Sequence, residues 1–340
     1  MLRFFVARLG SAIFSIWAVV TLAFFVNHGL PSDPARAVAG PQARPADVAR
    51  IRTQLGLDRP VTAQYRLFAA RLVHRAPDEL GMKEHSSCAP LGPIHFDLGT
   101  SYQRRRPVIQ VLADRFPRTA YLALAALAVG VAMGVAAGVV AAARRRSLGD
   151  KGIVAASLVG VSAPTFLIGI LLQYVLAYRL RWVPIDGYGT TPGEHLTSIV
   201  LPALTLGIAS AAYYVRLVRG DMIDVLRQDF IRTARAKGVS RYRVVVGHAL
   251  RNALLPLVTI VGLDFGVLMG GAVVTEKLFR WPGLGQLSVD AVFDRDAPVV
   301  LGVVIVTSSA IVLANLAVDI SYALLDPRVR GRLLGRSGDG

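Results

Sequence analysis

The stretch RTARAKGVSRYR gathers Arg232, Arg235, Lys237, Arg241 and Arg243 around Gly238-Val239-Ser240, in a chain that is otherwise strongly apolar. Guanidinium and ammonium groups stay charged at neutral pH, so this cluster suits docking to carboxylates or phosphates rather than proton transfer. Catalytic chemistry has no comparable support. The chain has no G-x-x-x-x-G-K-[ST] phosphate loop, no H-E-x-x-H and no G-x-S-x-G, so no catalytic residue is assigned and no nucleotide is expected on this chain. His74, His85, Cys88, His95 and Asp97 lie close in sequence and offer metal-ligating atoms. His85-x-x-Cys88 supplies only two ligands where a closed site usually needs four. The expectation is a solvated loop without metal. Asp264 is the remaining candidate, a carboxylate inside an apolar run.

These residues need elements to hold them, and composition says what kind. Of 340 residues, 54% are hydrophobic, and mean hydropathy is +0.50, too apolar for a water-soluble domain. About 20 apolar residues cross a bilayer as a helix, and six runs qualify: 9–30, 119–143, 152–178, 196–215, 252–275 and 297–318. Only the fifth contains a carboxylate, Asp264. The formal charge of +16 could suggest nucleic acid, but its distribution is that of a membrane protein. Arg3 and Arg8, the Arg144-Arg145-Arg146 run, nine Lys/Arg from Arg216 to Arg251 and four from Arg328 onward share one side. The positive-inside rule then gives N-in and C-in, with no nucleic-acid partner. Arg3 and Arg8 ahead of an apolar run mimic a secretory signal, but the run is longer than usual and is read as a retained first helix. Cys88 is the only cysteine.

The expected fold is an all-α membrane protein of six transmembrane helices with a long, structured first extracytoplasmic loop. Its parts are a first span (1–30), that loop (31–118), a five-helix core (119–325) and a cytoplasmic tail (326–340). In the loop, Val48, Ile51 and Leu55 share one helical face with Gly56 as a stop, and Val61, Tyr65, Phe68 and Leu72 repeat the device. Between Val73 and Phe96 periodicity is lost, which predicts an exposed insert. Val108, Ile109, Leu112 and Phe116 predict an interfacial helix leading into the second span. Gly130, Gly134 and Gly138, and again Gly262, Gly266 and Gly270, recur every four residues and predict close helix packing. In the inside loop (220–251), Asp229–Lys237 is compatible with a short helix whose end charges complement its dipole. Gly238 follows as a C′ glycine, and Ser240 can cap a second helix running into the fifth span. A loop that only fixed topology would need neither helix nor hinge.

Here the residues resemble a family. TARAKG followed by HALRNALLP is similar to the coupling loop of ABC-importer permeases, in the form used by dipeptide/oligopeptide/nickel-type permeases. LPSDPARAVAG, LGLDRPVTAQY, FDLGTSYQRRRPVIQVLADRFPRTAYLAL, SAPTFLIGILL, GGAVVTEKLFRWPGLGQL and YALLDPRVR extend the resemblance along nearly the whole chain. One departure is local: where the general loop has Glu-Ala-Ala, this chain has Arg232, Thr233 and Ala234. The resemblance implies a type I ABC-importer permease fold in the cytoplasmic membrane and a pore-forming, non-enzymatic subunit. It also implies a second homologous permease, two ABC ATPases carrying ATP and Mg, and an extracytoplasmic solute-binding protein. Asp229, Phe230, Arg232, Thr233, Ala234, Arg235, Lys237 and Gly238 would couple to an ATPase, with Phe230, Ile231 and Ala234 supplying apolar contact.

Peptide is the favoured cargo; nickel, oligosaccharide or another small solute is the alternative within the class. An autonomous channel or secondary transporter is the alternative outside it, but would need several intramembrane ionisable groups. A membrane-anchored enzyme would need a catalytic constellation. Asp264, with Met269 on the same span, is assigned to the translocation path or the subunit interface. Asp264 lies about 200° around the helix from Gly262 and Gly266, so it points away from any neighbour that the glycines pack on.

Overall fold

The computed structural model describes residues 2–29, 33–40, 42–75, 87–91 and 94–325. His85 and the tail 326–340 lie outside them. The chain divides into two compact units. One comprises Met1–Phe5, Thr119–Pro282 and Ile311–Gly340; the other comprises Val6–Arg118 and Gly283–Ala310.

Among the described residues, four helical segments are long and apolar enough to cross a membrane unbroken: Arg8–Gly29, Val108–Ala143, Pro192–Val225 and Ala297–Val318. Two further apolar segments are bent helix pairs. Leu148–Ser162 and Thr165–Arg179 meet at 107°, and Arg243–Ala253 meets Leu255–Met269 at 51°. Counting each pair once gives up to six. The third and fifth apolar runs are therefore broken helices, and each break lies at a proline. Pro164 and Pro256 lack an N–H, and a proline disfavours helical geometry in the residue before it. Ala163 is accordingly extended, at φ −76° and ψ 131°.

The second unit takes in α1 (Leu2–Gly29) from Val6 onward, a helix that turns Ile13, Phe14, Trp17 and Leu22 outward, as a lipid-facing helix should. Three short helices follow: α2 (Pro34–Ala39), α3 (Pro45–Gln54) and α4 (Val61–Leu72). Asp33 caps α2 through Ala35 N at 3.1 Å. The aromatic faces of α1 and α4 meet. Phe24 stacks on Phe68, and the Thr21 and Tyr65 hydroxyls hydrogen-bond at 2.7 Å.

The aperiodic insert is not a bare loop. Three strands, β1 (His74–Arg75), β2 (Cys88–Leu91) and β3 (Ile94–Asp97), form an antiparallel sheet in the order β1-β3-β2. The all-α expectation thus holds except for this small sheet. Its pairing is long-range and leaves little local signature. A turn then runs from Gly99 to Pro107, anchored by Asp296. That carboxylate accepts from the Ser101 hydroxyl and from Tyr102 N at 3.0 Å.

The next helix, α5 (Val108–Ala143), runs unbroken through Pro117 for 36 residues, about 54 Å at 1.5 Å per residue. Its first turns were expected to lie at the interface. Instead Val108, Val111 and Leu112 are buried against Leu284 and Leu287 of α14 (Leu284–Phe293), and against Val299 at the start of the last helix, α15 (Ala297–Leu325). Phe116 is exposed.

The first unit holds the rest of the core: α6 (Leu148–Ser162), α7 (Thr165–Leu172) continued by a π-helical stretch Gln173–Arg179, α8 (Pro192–Ser198) and α9 (Val200–Val225). After α10 (Asp229–Ala236) come a π-helical stretch Arg243–Leu250, α11 (Arg251–Ala253), α12 (Leu255–Met269) and α13 (Val273–Leu278). Both glycine ladders are packing faces. A Cβ at Gly134 would fall 2.5 Å from Tyr214 Cβ, and one at Gly138 would fall 2.9 Å from Val218 Cβ, both on α9. Gly262 and Gly266 meet Val318 and Ala314 of α15 in the same way. Only hydrogen fits at such contacts, which is how helices gain close packing where lipid supplies no hydrophobic drive.

Candidate functional site

The loop between α9 and α12 carries the charged stretch. Helix α10 spans Asp229–Ala236, with Asp229 in its first turn and Arg235 in its last, so both charges match the dipole. Its end is built by hydrogen bonds. Gly238 has φ +77°, Gly238 N donates to Arg235 O at 2.9 Å, and Val239 N donates to Ala234 O at 3.2 Å. This pair of bonds is a Schellman termination, and glycine reaches the left-handed region it requires without a Cβ penalty.

Eight residues are too few for a helix to persist alone in water. Ile231 holds this one in place. It is fully buried, in one core cluster with Val218, Met222 and Val225 of α9 and Val244 of the following π-helical stretch. The expectation that Ile231 faces a partner is therefore corrected: its side chain is consumed by the chain's own core. The outward face carries Asp229, Phe230, Arg232, Thr233, Arg235 and Lys237, all exposed, with Ala234 half-buried. Arg232 Nη1 meets Asp229 Oδ1 at 3.1 Å, both side chains open to solvent. Phe230 is 42% exposed, an aromatic ring amid cations on a helix clamped from behind.

The structure shows two tethers that the sequence did not reveal, one from the loop itself and one between the helices just ahead of it. Arg241 Nη2 donates to Ala143 O at 2.7 Å, at the end of α5. Arg219 of α9 grips Asp150 of α6 with two bonds, Nε to Oδ1 at 2.6 Å and Nη2 to Oδ2 at 2.9 Å. Arg146 N also donates to Asp150 at 2.9 Å, while Ser147 Oγ caps Asp150 N at 3.2 Å. The Ser147-x-x-Asp150 spacing ahead of an apolar run was a legible helix start; the arginine partner was not. The second helix of the loop differs from expectation too. Ser240 contributes its carbonyl oxygen, accepting from Val244 N at 3.0 Å, and the segment beyond is π-helical.

Asp264 and Met269 sit on α12. Tyr214, whose ring is fully buried, donates its hydroxyl to Asp264 Oδ2 at 2.5 Å. The ladder on the other side of α12 packs on α15, so Asp264 does point away from it, toward a partner in its own chain. Met269 is buried within the chain. A third carboxylate went unremarked in the sequence: Glu276 of α13 is fully buried and accepts from Thr119 Oγ1 at 2.9 Å.

Comparison with known proteins shows which family such a bundle belongs to. Residues 134–331 match the family model described as binding-protein-dependent transport system inner membrane component, and residues 1–123 match the N-terminal model of the same components. The chain belongs to that family of ABC-importer permeases. Among the permease's relatives are the glutathione transport system permease protein GsiC of Pectobacterium atrosepticum, 40% identical, and that of Escherichia coli K12, 39% identical. In each case 97% of this chain and 99% of the relative are covered. A solved structure of the MetNI methionine ABC transporter, in an inward-facing conformation, shares the fold. It has a TM-score of 0.55 at 17% identity, covering 65% of this chain and 98% of that one. The permease is thus the inner-membrane component of a binding-protein-dependent importer, a family that works with ATPase and binding-protein partners.

Proposed function

We propose that this permease imports short peptides, and that the α10 loop is where ATP hydrolysis is converted into movement of the spans. The assembly is two permeases (this chain and a homologue), two ABC ATPases and an extracytoplasmic solute-binding protein. ATP and Mg are held by the ATPases, and this chain performs no catalysis of its own. The N- and C-termini face the cytoplasm, which places α10 on the ATPase side and the Pro31–Arg118 region on the binding-protein side.

The observation that carries the coupling role is α10 itself. Ile231 anchors it to α9 from behind, while Phe230 and the cations face outward. A push on that outer face is delivered to α9 and α12 because the helix cannot slide on its seat. Phe230 would fill an apolar groove of the ATPase, while Arg232, Arg235 and Lys237 meet its acidic side chains or lipid phosphates. Asp229, Thr233, Ala234 and Gly238 fix the helix and its turn. Asp264 has a structural place at the translocation path or the subunit interface rather than a peptide-binding one, and Met269, buried within the chain, supports it from the core. The cargo class rests on relatives named for glutathione, a small peptide, at 39–40% identity over 97% of the chain.

The test is purification of the complete importer with its binding protein, followed by mass spectrometry of the co-eluting ligand and uptake in proteoliposomes. The expected result is a di- or oligopeptide that stimulates ATPase activity. A bound nickel ion or oligosaccharide, with peptides inert, would refute the cargo assignment.

A further inference from the structure

The sheet in the region between the first two spans assembles a set of ligands that the sequence spacing concealed. Along a strand, alternate residues share a face. The register pairs His74 with His95 and Cys88 with Asp97 across the central strand β3. Since His95 and Asp97 are two apart, His74, His95, Cys88 and Asp97 all fall on one face of the sheet. His74, Cys88 and His95 each offer one donor atom there, and the three atoms lie within 4.8 Å of one another.

The hydrogen bonds say which atoms are poised. His74 Nδ1 lies 3.0 Å from Arg71 O. A carbonyl can only accept, so Nδ1 carries the proton and the lone pair of the neutral ring is on Nε2. That atom is 3.6 Å from Cys88 Sγ. A backbone carbonyl fixing one imidazole nitrogen while the other faces a ligand is the usual arrangement behind a metal-bound histidine. His95 adds a separate sign: its Nδ1 is buried and makes no hydrogen bond with the described residues, a state that native structures rarely leave uncompensated. Tetrahedral zinc, with Zn–N of about 2.0–2.1 Å and Zn–S of about 2.3 Å, needs donors roughly 3.3–3.6 Å apart. The His74–Cys88 pair is already at that separation, and closing the remaining distances from within 4.8 Å needs a shift of at most about 1.5 Å.

We propose that His74, Cys88 and His95 form a His₂Cys site for a borderline transition-metal dication of the Zn²⁺ class, with the fourth position open to water or an external ligand. Two imidazoles and one thiol select against Mg²⁺ and Ca²⁺, which take oxygen ligands. On binding, the thiol releases its proton to water and the metal–sulfur bond forms. The ion would lock β1 and β2 onto β3, fixing a sheet too small to hold its own register. Asp97 is held by Gly99 N at 2.7 Å and stays outside the ligand set.

Cys88 is the only cysteine, so its alkylation reads this site alone. The full-length permease, stripped with chelator in detergent, is reacted with a maleimide, and modification of Cys88 is followed by mass spectrometry with and without Zn²⁺ or Mg²⁺. Stoichiometric Zn²⁺ should slow the reaction at least about tenfold and Mg²⁺ should not. His74→Ala and His95→Gln should each weaken Zn²⁺ protection by at least about 10–100-fold, the loss that even an outer-shell partner causes. Co²⁺ provides a readout on the unaltered chain: a thiolate-to-cobalt charge-transfer band that Cys88→Ser removes. An unchanged alkylation rate with Zn²⁺, equal protection in every variant, or a Co²⁺ spectrum lacking the thiolate band would each overturn the assignment.

Discussion

Replacing Ile231 by alanine separates the anchoring of α10 from its contact with a partner. Ile231 has no solvent exposure and belongs to the core cluster that includes Val218, Met222, Val225 and Val244. Truncating a buried isoleucine to alanine costs about 2–5 kcal/mol, part transfer and part cavity. Taking about 3 kcal/mol, the docked–undocked equilibrium of α10 shifts about 150-fold, since each 1.4 kcal/mol is a factor of ten. An eight-residue helix has little else to hold it, and local opening of such a segment can occur well below the free energy of global unfolding. Phe230→Ala is the companion. That side chain is 42% exposed, so its loss disturbs the chain little but removes an aromatic anchor, of the kind that carries about 2 kcal/mol or more at an interface. The assay is amide exchange across residues 229–236 together with uptake per ATP hydrolysed, in nanodiscs or proteoliposomes of the complete importer. Ile231→Ala should raise exchange and lower the transport-to-hydrolysis ratio. Phe230→Ala should leave exchange unchanged and reduce recovery of the ATPase with the permease. Native exchange and native coupling in Ile231→Ala would refute the claim that this contact seats the helix.

Removing Arg219 should be harmful in a way that removing its partner as well is not. Arg219→Met strands the Asp150 carboxylate, whose side chain is 4% exposed, at a cost of about 3–5 kcal/mol, whereas Arg219→Met with Asp150→Asn should recover much of the melting temperature; equal losses in single and double variants would sink the ion-pair account. Tyr214→Phe should lower thermal stability by about 1–3 kcal/mol, the cost of leaving a partly buried acceptor unsatisfied. Combined with Asp264→Asn it should cost clearly less than the sum of the two, a coupling readable in a double-mutant cycle, and full additivity would mean that the pair does not interact.

Much of this protein was legible in the chain because a bilayer forces each span to satisfy its own backbone. The apolar runs, the glycine ladders and the helix–glycine turn at Asp229–Gly238 are all local patterns. Each survives into the structure for a local reason: hydropathy, the missing Cβ, and the left-handed φ at Gly238. Pro164 and Pro256 were equally visible, but hydropathy does not weigh a missing N–H, so the bends of 107° and 51° were missed. What the tertiary structure decided is what distant residues do together. Arg219 finds Asp150 across 69 positions, and Asp296 collects the Ser101 turn across 195. Tyr214, a core residue by composition, became the partner of Asp264 only when α9 packed beside α12. Ile231 and Phe230 are neighbours of similar hydropathy, yet one faces the core and the other the solvent because α10 docks by a single face. The proposed ligands His74, Cys88 and His95 match no metal-binding spacing, since spacing motifs describe ligands on one turn or one loop. A sheet brings its ligands together through register, and register is set by pairing between strands that the sequence keeps apart.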